Sequence, residues 1–170
     1  MNEKEFREEL KIIIETHSNE REKEEKLKIL NNEFSHSIKI IDSERGISSY
    51  YCYMFALGFY QEEIKSINRK EYFIDDKFII FLLKNKVLMP ISKKMVKDND
   101  IIIYFVNNNP SHSGKIMGDK ILSKWGSCFL FEHKEWEVPI NYGDTTKYYK
   151  SIPKDEIKRY YVKYSKFNTG

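Results

Sequence analysis

The sequence predicts an α+β protein: helical spacing dominates up to about residue 97, and from Asp100 the pattern turns to short strands joined by tight turns. Three observations carry this. An amphipathic stripe opens the chain, a short run from Cys52 to Phe59 is apolar on nearly every side, and Ile101-Ile102-Ile103-Tyr104-Phe105-Val106 is a continuous β-branched and aromatic run.

Phe6, Leu10, Ile13 and Ile14 follow the i, i+4, i+7, i+8 spacing of one buried helical stripe, and His17-Ser18-Asn19 reads as a break. Leu27, Leu30 and Phe34 resume helical spacing, so residues 1–36 form an N-terminal helical extension, either packing on the main body or serving a partner. Asp42 to Gly46 reads as a loop. Ser48 or Ser49 then supplies an N-cap for the Cys52 helix, which belongs in the interior because it lacks a polar face. Phe78 to Leu83 forms a short buried helix, followed by Pro90 and a lysine-rich connection.

The run Ile101–Val106 suits a central strand covered on both faces. Asn107-Asn108-Asn109-Pro110 is a turn or loop, and His112–Met117, Lys120–Trp125 and Cys128–Glu132 follow as strands. Gly118-Asp119 and Gly126-Ser127 are the hairpin turns between them. Pairing Met117 with Lys120 puts His112, Gly114, Ile116, Ile121, Ser123 and Trp125 on one face and Lys124 on the other. The tail from Ser151 suits a helix through Ile157, Tyr160, Tyr161 and Tyr164, or a strand over Tyr160–Tyr164.

With 170 residues the chain holds one core, and 37–170 reads as a single compact unit after the helical extension. Net charge is +3, from 29 basic and 26 acidic residues interleaved along the chain, which argues against nucleic acid as partner. A Tyr- and Lys-rich tail, Lys147 to Lys166, is the one segment where bases could stack. The N-terminal sequence lacks a signal-peptide pattern and no apolar run spans a membrane, so a cytoplasmic protein is expected, with export by a signal-less route left open. Two cysteines make no disulfide framework, no metal-site spacing appears, and no cofactor is expected. Oligomeric state is not encoded in any of these patterns.

Cys52 in the first turn of a buried helix lies where free backbone N–H groups and the helix dipole favour a thiolate. The alternative is an inert, packed thiol. His112 opens a strand after the central one and could serve as its base, or could be a hydrogen-bonded strand-edge histidine. His17 and His36 read as surface residues, and His133 as a supporting partner or a solvated strand end. Asp75-Asp76 and Asp98-Asn99-Asp100 read as cap and turn residues.

The order of Cys52 on a buried helix, Asp100-Ile101-Ile102-Ile103-Tyr104-Phe105, then His112-Ser113-Gly114-Lys115-Ile116 resembles the NlpC-type and CHAP-type papain-like cysteine peptidases and amidases. More closely, Ile121-Leu122-Ser123-Lys124-Trp125-Gly126, Glu132-His133, Pro139 and Asn141-Tyr142-Gly143 resemble a little-studied bacterial family with a cysteine helix and this downstream signature. The resemblance covers roughly residues 48–150. It implies a papain-like fold, Cys52 as nucleophile, His112 as base and Ser123 at the third polar position, with His133 or Glu132 as substitutes. Tyr51, which stands where many relatives carry a polar residue, Lys124, Trp125 and His133 would support the site, Lys124 by touching substrate or by packing around Trp125. Asn99 replaces the family's usual glycine, and Tyr142-Gly143 would form a closing turn.

The implied function is a cysteine hydrolase or transferase acting on an amide or acyl bond of a peptide or protein substrate. The alternative is a catalytically silent papain-like scaffold that binds a protein partner, as a small phage- or toxin-associated protein would.

Overall fold

A seven-stranded antiparallel sheet, in the order β1-β6-β5-β4-β3-β7-β2, organises the protein, with helices on both faces. The computed structural model describes residues 1–16, 19–42, 51–67, 73–126 and 129–168. The strands are β1 (Lys39–Asp42), β2 (Pro90–Ile91), β3 (Ile101–Val106), β4 (Asn109–Met117), β5 (Lys120–Lys124), β6 (Leu130–His133) and β7 (Thr145–Tyr149). The helices are α1 (Glu3–Thr16), α2 (Glu20–Glu33), α3 (Cys52–Leu57), α4 (Gln61–Lys65), α5 (Asp76–Lys84) and α6 (Lys154–Asn168). The class is α+β, and no helix among the described residues is long and apolar enough to cross a membrane.

β3 is the central strand that its composition demands, hydrogen-bonded to β4 and β7 and buried from Ile101 to Phe105. Its alternation divides the core into two halves. Ile101, Ile103 and Phe105 point to a layer holding Met54 and Leu57 of α3, Phe78 and Leu82 of α5, and Ile157 and Tyr161 of α6. Ile102 and Tyr104 point the other way, against Phe6 and Leu10 of α1 and Leu27 and Leu30 of α2.

The N-terminal helices are therefore one of three layers, and residues 1–36 pack on the main body, one of the two readings their sequence offers. Arg7 reinforces this from within α1. Buried beside Trp136, whose ring lies 5.2 Å from its guanidinium, it donates to the carbonyls of Val138 and Gly143. Asn19 caps α2 by accepting from the Glu22 N–H, which accounts for the break read before it; His17 and Ser18 lie outside the described residues.

The β4–β5 hairpin follows the expected register, with Met117 opposite Lys120, Ile116 opposite Ile121 and Lys115 opposite Leu122. Asn107 and Asn108 both take positive φ, 49° and 65°, so they form a two-residue hairpin turn and β4 begins at Asn109, three residues earlier than expected. Pro110 is accommodated because the register shifts beside it, between Tyr104 and Phe105. The tail resolves as a helix, with Ile157, Tyr161 and Tyr164 buried at helical spacing. β1, β2 and β7 are strands that the residue pattern did not announce. Gly126 takes a positive φ of 59°, as a turn there requires, while Ser127 and the strand start expected at Cys128 lie outside the described residues.

Candidate functional site

The Cys52 helix is buried as expected: Tyr53, Met54, Ala56 and Leu57 all lie in the core. Its N-cap position is Tyr51, whose side chain makes no cap hydrogen bond, so a serine N-cap at Ser48 or Ser49 is not what opens this helix. Those serines and the loop after Asp42 lie outside the described residues. Tyr51 is exposed and meets Phe73 edge-on at 4.8 Å between ring centroids.

Cys52 packs against the layer that contains Ile101, Ile103 and Phe105. Across from it on β4 stands Ser113, opposite Ile103 in the β3–β4 register. The Ser113 N–H and hydroxyl both favour the thiolate, but desolvation outweighs them and pushes the Cys52 thiol up to about 11. The residue as a whole is only partly buried; it is the sulfur that has lost its water. The Ser113 hydroxyl has no hydrogen bond of good geometry to any group among the described residues. Lys115, also on this face, places its ammonium 5.4 Å from the Phe55 ring centroid.

His112 faces the opposite way. It pairs with Tyr104 in the β3–β4 register and its ring stacks on Tyr142 at 3.9 Å. Burial, and then the neighbouring His133, hold its pKa well below the ordinary 6.5, and its Nε2 is buried without a hydrogen-bond partner among the described residues. The expected Cys52–His112 pair is therefore not formed: the two side chains lie on opposite faces of the sheet. The physical reason is the two-residue repeat of a strand. The helix covers the face that Ser113 presents, one residue away from the face that His112 presents.

The face shared by His112, Gly114, Ile116, Ile121, Ser123 and Trp125 is as the alternation predicted, but it carries a different constellation. Ser123 Oγ lies 2.7 Å from His133 Nε2, and the Trp125 indole N–H donates to Ser123 Oγ at 2.8 Å. His133 Nδ1 lies 2.8 Å from the Lys134 carbonyl oxygen. A carbonyl can only accept, so Nδ1 carries the proton and Nε2 accepts from the Ser123 hydroxyl. This is a serine–imidazole pair of the kind that activates a nucleophile. It is also sealed, since Ser123, Trp125 and His133 are each 0% exposed. Gly114 packs tightly here, because a Cβ would come within 2.7 Å of Ile121 Cγ2 and of the Leu122 carbonyl oxygen.

Ser123 thus serves His133 and not His112. His133 is a buried hub and not a solvated strand end, its pKa lowered by burial to about 4. Glu132 sits at the β1 edge, 3.9 Å from Lys39 Nζ. Lys124 is buried, and strand alternation places it on the α3 side. Trp125 is a core side chain stacked on Phe131 at 4.1 Å. His36 is not free on the surface: its Nδ1 accepts from the Ile38 N–H, and its Nε2 donates to the Leu27 carbonyl. The Asp75 cap and the Asp98 and Asp100 turn contacts are present, to the N–H groups of Phe78, Gly118 and Lys97. The Ser123–His133 pair was within reach of the sequence, because His133 follows directly from the β5–β6 pairing that sets Ile121 opposite it.

No protein-family model, curated protein or solved structure matches the chain.

Proposed function

We propose that this protein is a catalytically silent module on a papain-like scaffold, acting by binding a protein partner. What supports the scaffold is the placement of a cysteine-bearing helix against the β3–β4 hairpin of an antiparallel sheet, the arrangement that the sequence resemblance implies. What supports silence is a single observation: Cys52 faces Ser113 while the intended base, His112, faces the other layer. A one-residue slip of β4 would carry His112 to Cys52, but it would also carry Ser113 and Lys115 into the layer that now holds Trp125 and Tyr104. Burial pushes the Cys52 thiol up to about 11, so it stays protonated at neutral pH, and among the described residues His112 does not stand beside it to take the proton.

Alkylation of Cys52 by iodoacetamide, followed by peptide mass spectrometry from pH 6 to 11, tests this. The rate is expected to climb throughout without levelling near neutrality, and His112→Ala is expected to leave the profile unchanged. A plateau set by a pKa near or below about 7 that disappears in His112→Ala would restore the hydrolase reading.

A further inference from the structure

Helix α6 carries five basic and two acidic residues, a net of three positive charges. That equals the net charge of the whole chain, so the remaining basic and acidic residues balance. The helix buries Ile157, Tyr161 and Tyr164 against the α3–α5 layer. Lys158, Arg159, Lys163 and Lys166 therefore point into solvent, and none of them is in an ion pair among the described residues. A groove of about 840 Å³ runs along this face, lined by these four side chains together with Tyr160 and Val162, with Asp155 and Glu156 at its N-terminal end. Phe167, next to Lys166, is 80% exposed.

We propose that this face of α6 docks an acidic, partly apolar segment of a protein partner. This rests on the partner-binding function proposed above and names the chemistry of the partner. Exposed cations in rows steer and orient a carboxylate-rich surface, while half-buried Tyr160, with Lys163 Nζ 5.0 Å from its ring centroid, and Val162 offer apolar contact within the same groove. A membrane surface is disfavoured, because the apolar stripe of α6 is already buried and, among its described residues, Phe167 alone is left to insert. Nucleic acid is disfavoured because Asp155 and Glu156 share the groove and would repel phosphates, whereas a protein segment can answer them with its own lysine or arginine.

The test uses the full chain and a fluorescein-labelled amphipathic peptide of Glu and Leu, read by anisotropy. The peptide with Lys in place of Glu and a short single-stranded oligonucleotide serve as competitors. Binding of the Glu peptide is expected, weakened by added salt, and reduced at least about tenfold by the combined Lys158→Glu, Arg159→Glu, Lys163→Glu and Lys166→Glu variant. The neutral variant, Lys158→Gln with Lys163→Gln, is expected to fall between the two, so the result stands even if the reversed chain folds poorly. No binding to the wild type, binding indifferent to both variants, or tighter binding of the oligonucleotide would each overturn the proposal. Failure here leaves the Cys52 alkylation profile untouched. A nucleophilic Cys52 would overturn the silent-module reading without altering what α6 binds.

Discussion

Ser123, His133 and Trp125 form a chain of donors and acceptors whose every proton is assigned by the Lys134 carbonyl at its end. Beside it, His112 contributes a buried Nε2 with no hydrogen-bond partner among the described residues. Both imidazoles are held neutral by burial, His133 with a pKa lowered to about 4 and His112 well below its ordinary value. In the unfolded chain both take a proton near about 6.5. The contribution of these two imidazoles to folded stability is therefore complete above that pH and is lost as pH falls from about 6.5 towards about 4, His133 alone accounting for about 3 kcal/mol. His112→Phe should keep the stack on Tyr142, remove the unpaired nitrogen and raise stability at neutral pH by about 1 kcal/mol. Urea unfolding across this range should show the variant falling less steeply on acidification than the wild type. A variant less stable at neutral pH, or one with the same acid slope, would show that the His112 ring is not an orphan. Asn99 teaches a related point: it stands where the resembled family has glycine because its φ is +70°, a region that asparagine tolerates better than most residues.

At the scale of elements, α1 and α2 belong to the core and not to an appendage. Leu10 is wholly buried in the cluster that includes Tyr104, Trp125 and Phe131. Leu10→Ala should cost about 2–5 kcal/mol in urea or thermal unfolding, as a core truncation does. Removing residues 1–36 should leave a chain without a cooperative transition; a stable, cooperative 37–170 fragment would return these helices to the status of an extension. Strong local signals made several elements legible. The β3 run, the Gly118-Asp119 turn and the Asp75 cap each fix their own geometry. β2 has two residues and β1 four, too few for a period to emerge, and both lie at the margins of the sheet, where partners and not propensity define a strand. The α6 segment satisfied two periods at once, and packing of Tyr161 between Phe59 and Phe78 decided for the helix.

At the scale of the whole molecule, alternation along β4 and β5 predicted which residues share a face, and the structure bears that grouping out. It could not say which layer covers which face, because that depends on how chain segments far apart in sequence cross the sheet. A catalytic dyad between Cys52 and His112 depends on that missing information alone, and the same two-residue repeat that made the grouping legible puts Ser113 in the place His112 was expected to fill. Disulfide trapping reads this directly. In a Cys128→Ser background, Ser113→Cys and His112→Cys are each oxidised with diamide and mapped by peptide mass spectrometry. Cross-linking of Cys52 to position 113, with position 112 left as a free thiol, is the predicted result. Efficient cross-linking of Cys52 to position 112, and none to 113, would contradict the account.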